Sequence, residues 1–396
     1  MRDSVTSPEP MPRRRVVLLG ATGSIGRQAC EIVERYPEHF ELVGVVAGSD
    51  TAGLRAVVER FGVPRSAVVS PRDSSAPLPE GCGVGVEAAC EVAALDADVV
   101  CVGIAGAAAL RPTLAALVRG TDVAIATKEV LVMAGPLVRE RARRSGARLL
   151  PVDSEHSALW QCLRGEDPSS VNRLLLTASG GPFRERPLAT LAEVTVEEAL
   201  HHPNWSMGPK ITVDSATMMN KGLEIIEAHF LFDIPYARIE VVIHPPSIVH
   251  SCVEFVDGAT MAQIGMPDMR VPIALALADG RRLPGVCAPA ELSAQKPLEF
   301  HPVDPQRFPA PGLARRAGEL GGGAPCVLNA ANEAAVAAFL HGACRFTDIV
   351  PLVAETLEAA PLGDGVPQLD ELVELDAWAR RNVQQSVEHG ADTVSV

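Results

Sequence analysis

The sequence predicts an α/β protein: an N-terminal doubly wound parallel sheet, then an α+β domain, then a C-terminal helical domain. Three observations carry this. Short β-branched runs alternate with helix-like stretches over residues 15–150, the first run ends in GATGSIG, and the texture changes after about residue 150. At 396 residues the chain has length for two or three domains of about 150 residues each.

Residues 1–14 are polar and Pro-containing and predict a disordered tail, with no apolar stretch of a secretion signal. The strand candidates that follow are VVLLG at 16–20, ELVGVVA at 41–47, DVVCVGI at 98–104, DVAIAT at 122–127 and ARLLPV at 147–152. They are continuously apolar, as strands covered by helices on both faces must be. Segments 24–35, 52–61, 107–119 and 129–145 supply crossover helices, and right-handed βαβ connections then give the doubly wound, Rossmann-like sheet.

From 151 to 280 the strand-like runs RLLLTA, ARIEVVIH, SCVEFV and TMAQIG mix with glycines and Ala-rich helices, which predicts an α+β catalytic domain carrying a flap over 201–210. Residues 281–312 hold seven prolines and predict a semi-rigid connector. Residues 313–396 are expected to be helical, with Leu328, Val336, Phe339 and Leu340 as one apolar stripe.

Thirty-five basic residues against 49 acidic ones give a formal charge of −14, with no basic block. That argues against nucleic acid and anionic membranes as partners. Mean hydropathy is +0.16, yet no uncharged run reaches the roughly 18 residues of a membrane span. Nine cysteines without a CxxC pair, mostly in apolar runs (Cys90, Cys101, Cys252), read as reduced, buried thiols, and a cytoplasmic location is expected.

Four segments can carry chemistry. In GATGSIG, Gly20, Gly23 and Gly26 let a backbone approach a pyrophosphate at a helix N-terminus. Choice of dinucleotide stays open: at the end of the second strand Asp50 suits a ribose diol, while Ser49 with Arg55 nearby suits a 2′-phosphate. In PVDSEH, Asp153 and Glu155 lie two apart at the carboxyl edge of the sheet. In extended chain they point the same way and can share one cation, with magnesium or manganese preferred by hard oxygens. In HHPNWSMGPKITVDSATMMNKGLEIIEA, Glu224 can complete a three-carboxylate site, and Ser215, Asn220 and Lys221, with His202, suit a phosphate monoester. Trp205, in a polar Pro/Asn/Gly context, reads as part of a lid. Finally TASGGPF brings Ser179 and two glycines to a strand end, again suited to an anion. His244 and His250 read as buried, hydrogen-bonded histidines.

Taken together, GATGSIG, ATKE, PVDSEHSALWQ, TASGGPFR, HPNWSMGPKITVDSATMMNKGLEIIEA, IHPPSIVHS, GMPDMR and LNAANEAAVAAFL resemble 1-deoxy-D-xylulose 5-phosphate reductoisomerases, in consistent order from about residue 14 to 385. The resemblance implies isomerisation of 1-deoxy-D-xylulose 5-phosphate and reduction by NADPH to 2-C-methyl-D-erythritol 4-phosphate. This is the committed step of non-mevalonate isoprenoid precursor synthesis, and it is inhibited by fosmidomycin. It further implies one Mn2+ or Mg2+ held by Asp153, Glu155 and Glu224. Lys128, Ser154 and Glu155 would face the substrate, and Ser179, His202, Ser215, Asn220 and Lys221 would collect its phosphate and hydroxyls, with Lys128 and His202 in the catalytic set. Thr22, Gly23, Ser24, Ile25, Gly48, Ser49, Asp50, Thr127, Glu129 and Gly208 fall at cofactor-contact positions, and Trp205 and Met207 on the flap. A homodimer acting on a small sugar phosphate is implied. Three positions depart from the common pattern: Thr127 stands for Asn, Ser49-Asp50 for Lys-Asn, and Pro246 for Gln. Readings that absorb only the first domain are a different NAD(P)-dependent dehydrogenase and a non-catalytic dinucleotide sensor.

Overall fold

The computed structural model describes residues 11–73, 77–201, 207–295 and 297–394. His202, Trp205 and the first ten residues of the expected tail lie outside the described residues.

The first sheet is built from β1 (Arg14–Leu19), β2 (Phe40–Ala47), β3 (Ser66–Val68), β4 (Gly83–Val84), β5 (Val99–Val102), β6 (Asp122–Ile125) and β7 (Leu149–Pro151). Its order is β4-β3-β2-β1-β5-β6-β7, every pair parallel. Val16 through Leu19 are fully buried, which is why β1 reads as an unbroken apolar run. Between the strands run α1 (Ser24–Arg35), α2 (Thr51–Phe61), α3 (Val86–Ala93), α4 (Leu110–Val118) and α5 (Glu129–Ser145). The strand order reverses between β1 and β5, and that switch point is where a doubly wound sheet opens a ligand crevice.

One expectation needs correction at its edge. The tail does not run to residue 14: Arg14 opens β1 and is buried, its guanidinium donating to the carbonyls of Leu277 (2.6 Å) and Asp98 (3.1 Å). A charged residue at a strand start hides from an apolar-run reading, and here its partners come from distant chain.

The second layer holds α6 (Ser154–Leu163), β8 (Val171–Ala178), α7 (Val196–Ala199), α8 (Pro209–Thr217), α9 (Met219–Phe232), β9 (Ile239–Ile243), β10 (Val249–Phe255) and β11 (Thr260–Ile264). Its sheet order is β11-β10-β8-β9-β12, where β12 is the two-residue edge strand His301–Pro302. The β8–β9 pair is parallel and the rest are antiparallel. Helix α10 (Arg270–Leu277), although within the stretch the sequence groups with the catalytic part, packs its Ile273, Ala274 and Leu277 onto the α1 face of the first sheet.

The Pro-rich stretch is likewise more ordered than a connector. It supplies β12 and the first residues of α11 (Ala310–Leu320), where Pro311 occupies the first turn and so loses no internal hydrogen bond. Helices α12 (Ala324–Leu340), α13 (Ile349–Glu358) and α14 (Leu369–Val394) complete the fold and share one core with α9 and the second sheet.

Two close approaches set how these layers meet. A Cβ on Gly135 would stand 2.2 Å from the Phe230 ring, so α5 and α9 touch there. Helix α5 kinks at the same place, at Ala134, beside Pro136, whose ring cannot follow a regular helix. On the other flank of α9, a Cβ on Gly222 would meet that of Ala314 on α11 at 2.7 Å.

Candidate active site

A cavity of about 910 Å³ opens between the carboxyl edge of the first sheet and helices α8 and α9. One wall is the dinucleotide turn, with Gly23, Ser24 and Ile25 on its lining and Thr22 just behind. The turn is tight for a stated reason. Gly20 has φ +93° and a Cβ there would lie 2.5 Å from the Gly103 carbonyl group, while a Cβ on Gly26 would lie 2.1 Å from Gly20 O. Only glycines let α1 start this close to β1.

The opposite wall carries the charge. Asp153 is the residue that caps α6 and Glu155 lies in its first turn. The expected extended-chain alternation therefore does not hold, and the two carboxylates converge through a helix start instead. Glu224 joins them from α9, and one oxygen from each of the three lies within 4.8 Å of the others. Two ammonium groups stitch the set together. Lys128 Nζ reaches Asp153 Oδ2 at 2.5 Å, Glu224 Oε1 at 3.0 Å and Asn220 Oδ1 at 2.8 Å. Lys221 Nζ reaches Glu155 Oε1 at 2.7 Å and Glu224 Oε2 at 2.5 Å. The Lys221–Glu224 pair is the i,i+3 neighbour pair the sequence shows.

Burial and crowding decide the protonation. Glu224 has no exposed surface, and burial, with the charge of Glu155 beside it, pushes its carboxyl up to about 7 against the pull of Lys128 and Lys221. Burial also works to raise Glu155, but Lys221, the Ser154 hydroxyl and Lys128 together outweigh it and hold that carboxyl below the ordinary range. For Lys128 burial favours the neutral amine, and Asp153 and Glu224 overcome it and keep the ammonium charged.

With all three ionised, the carboxylates outnumber the two ammoniums by one negative charge, facing a cavity. Hard oxygen donors crowded enough to raise one of their own pKa values fit Mg2+ or Mn2+. A second set shares Asp153 with His156 and Glu227. Both are fully buried and neither lines the cavity. His156 Nε2 lies 3.0 Å from the Glu224 carbonyl, and burial lowers its pKa to about 4, so the ring is neutral and donates to that carbonyl. His156 thus braces the turn of α9 that presents Glu224.

The expected anion-binding residues converge beside this cluster. Ser179, Ser215, Asn220 and Lys221 all line the cavity, as do Ser154, Thr127, Met207 and Gly208. Gly181, at φ +67°, allows the approach of the loop after β8 to α8: a Cβ there would lie 2.7 Å from Ser215 O. Thr127 turns its hydroxyl into the sheet, donating to Ile104 O at 2.7 Å. Met218, between α8 and α9, holds a left-handed φ of 59°, an uncommon state for so long a side chain and one that marks a locally strained, ligand-facing turn. Gly48, Ser49 and Asp50 follow β2 and lie outside this cavity's lining.

Other residues escaped the sequence reading. Lys210, the second residue of α8, bridges Glu129 at 2.8 Å and Asp214 at 2.9 Å, and Asp214 accepts from Asn332 of α12 at 2.7 Å. This chain of contacts ties the nucleotide-binding sheet, α8 and the C-terminal helices together, and nothing in local pattern announces it. His244 and His250 are both buried, as the sequence suggests, His244 with Nδ1 2.8 Å from Glu299 O, and His250 also lines the cavity. All nine cysteines are free, with Cys90 only half-buried.

Comparison with known proteins agrees with this geometry. Family profiles match residues 16–135 (1-deoxy-D-xylulose 5-phosphate reductoisomerase), 149–232 (the C-terminal domain of the same enzyme) and 264–382 (DXP reductoisomerase C-terminal domain). The 1-deoxy-D-xylulose 5-phosphate reductoisomerase of Gloeobacter violaceus is 49% identical over 97% of this chain and 100% of its own length. That of Pelotomaculum thermopropionicum is 47% identical over 93% and 97%. Among solved structures, the Zymomonas mobilis reductoisomerase in complex with NADPH superimposes with a TM-score of 0.87 at 39% identity, covering 95% of this chain and 99% of that one. A reductoisomerase in complex with NADPH, fosmidomycin and magnesium gives 0.89 at 38% identity, covering 95% and 98%. On sequence, fold and site alike, the chain belongs to the 1-deoxy-D-xylulose 5-phosphate reductoisomerase family.

Proposed function

We propose that the chain converts 1-deoxy-D-xylulose 5-phosphate to 2-C-methyl-D-erythritol 4-phosphate with NADPH and one divalent cation, in the cavity between the two sheets. The observation that carries the reading is the placement of three converging carboxylates and an anion-binding set in the same cavity as the Gly23–Ile25 turn. A dehydrogenase alone needs only the turn.

Asp153, Glu155 and Glu224 would hold the cation, which when bound polarises substrate oxygens and supplies positive charge as carbon–carbon bonds rearrange beside a ketone. Thr22, Gly23, Ser24 and Ile25, with Glu129 and Gly208 at the far wall, would seat NADPH, which when bound supplies a hydride. Lys128 and Lys221 stay protonated because buried carboxylates surround them, so each offers a fixed positive charge to developing oxyanions or to phosphate. Ser179, Ser215 and Asn220 add neutral donors. Binding energy from the phosphate, remote from the reacting carbons, positions the substrate, and the Met207 flap segment excludes water from the aldehyde stage. His202 and Trp205 would complete that flap from outside the described residues. The first domain would carry the cofactor, and the cation and substrate would lie on the 151–280 part. We take the active form to be a cytoplasmic homodimer; no helix among the described residues is long and apolar enough to cross a membrane.

The test is NADPH oxidation on addition of 1-deoxy-D-xylulose 5-phosphate, with and without Mn2+, with the product identified by phosphorus NMR. Metal-dependent turnover to the methylerythritol phosphate is expected. Turnover unaffected by chelator, or simple ketone reduction without rearrangement, would sink the reading.

A further inference from the structure

Of the residues after β2 that the sequence offers for meeting the adenosine ribose, the structure engages Asp50 and Arg55 elsewhere and leaves Ser49 in place. Asp50 Oδ1 accepts from Gly53 N at 2.9 Å, so this carboxylate caps its own helix α2. Arg55 donates to the Pro77 carbonyl. A different cation takes the position. After β3, Ser70 N donates to Gly48 O at 2.8 Å and Arg72 N donates to Ser49 O at 3.1 Å, lacing the chain beyond β3 onto the chain beyond β2. These two bonds deliver the Arg72 side chain to Ser49, with Nη2 3.4 Å from Ser49 Oγ. The Arg72 side chain is exposed and has no ion-pair partner among the described residues. The place is next to the dinucleotide turn: a Cβ on Gly53 would lie 2.9 Å from Thr22 Cγ2. In a doubly wound nucleotide domain the end of the second strand faces the ribose 2′ position, where a carboxylate selects a diol and an arginine a 2′-phosphate.

We infer that Arg72, seated over Ser49, is the residue by which this chain selects a 2′-phosphorylated dinucleotide; the inference rests on the NADPH reading above. Its guanidinium can present two parallel N–H donors to phosphate oxygens, a charge-assisted fork that a lone hydroxyl cannot match. The Ser49 hydroxyl adds a further donor, and Asp50 is held on Gly53 N rather than toward the phosphate. The cation sought directly after β2 thus arrives from the next strand, 23 residues on from Ser49.

The test is binding without turnover: NADPH and NADH are titrated by nicotinamide fluorescence into wild-type protein and into the R72Q and R72K variants. R72Q should weaken NADPH by about tenfold or more while moving the NADH Kd by less than about twofold, with R72K in between. The steep salt dependence of the wild-type NADPH Kd should flatten in R72Q. An unchanged NADPH Kd in R72Q, or equal weakening of NADPH and NADH, would overturn the role of Arg72. Wild-type protein that binds NADH as tightly as NADPH would overturn the NADPH reading itself, an outcome visible before any variant is made.

Discussion

Replacing Gly26 with alanine tests whether the cofactor wall is set by backbone contact. A Cβ at this position would stand 2.1 Å from Gly20 O and 2.6 Å from both Cα and C of Ala21, against the 3.4–4 Å of ordinary contact. All three are backbone atoms, so no rotamer change relieves them. Gly20 sits at a close crossing of its own, where an added Cβ would stand 2.5 Å from the Gly103 carbonyl group. Helix α1 must therefore withdraw by about 1 Å from the turn, and overpacking of this kind costs about 1–3 kcal/mol. The amides at the start of α1 move away from the pyrophosphate with it. If about 2 kcal/mol of that appears in binding, the NADPH Kd rises roughly 30-fold, at 1.4 kcal/mol per factor of ten. Fluorescence titration of NADPH into Gly26→Ala measures it, and Mn2+ binding measured alongside controls for folding, since the three carboxylates sit on other elements. A wild-type NADPH Kd with an unaltered melting temperature would refute the packing argument.

Three further outcomes follow from the charged wall. Glu224→Gln removes one unit of charge from a cluster with an excess of one, and should weaken Mn2+ binding by about a hundredfold in calorimetry; undiminished affinity would remove Glu224 from the cation site. Lys221→Ala leaves Glu155 and Glu224 short of a partner and strips the anion set of its ammonium, so the apparent substrate KM should rise by more than about tenfold, and a KM within a factor of about two would count against a phosphate role. Lys210→Met unpairs Glu129 and the buried Asp214 together, a loss of about 3 kcal/mol; a melting temperature within a degree of wild type would show that the bridge is not holding the layers together.

Legibility in the sequence followed physical scale. The four longer strands of the first sheet, β1, β2, β5 and β6, were readable because parallel strands buried on both faces are apolar, as Val16–Leu19 and Val99–Val102 show, and the three-residue β7 was readable within the longer run ARLLPV. Strands β3, β4 and β12 are three, two and two residues long, below any period that alternation can reveal. Proline density hid the first turn of α11, since Pro311 there looks, without coordinates, the same as a helix breaker. In the site, Asp153, Glu155 and Glu224 were legible as chemistry although the local geometry behind the first two was misread as strand. Lys210, Asp214 and Asn332 were not, because each is an ordinary helical residue until three helices meet. Arg72 was invisible for the same reason: its meaning comes from two backbone hydrogen bonds between segments that no local pattern relates.

The precision of the carboxylate cluster comes from packing some distance away. Lys128 and Glu224 are 96 residues apart in sequence yet 3.0 Å apart in space, one at the start of α5 and the other in the second turn of α9. Those two helices are locked where Gly135 meets Phe230, and α9 is clamped from its other flank by Gly222 against Ala314. Any side chain at Gly135 or Gly222 would push α9 out of this seat, and His156 Nε2 lies 3.0 Å from the carbonyl of Glu224. A buried group whose partners could drift would relax its charge conflict by moving. Here burial, and then the charge of Glu155 held beside it, push Glu224 up to about 7. The charge of the cluster is thus set by the scaffold, which holds three carboxylates and two ammoniums together at the cavity wall, the arrangement on which the proposed cation site rests.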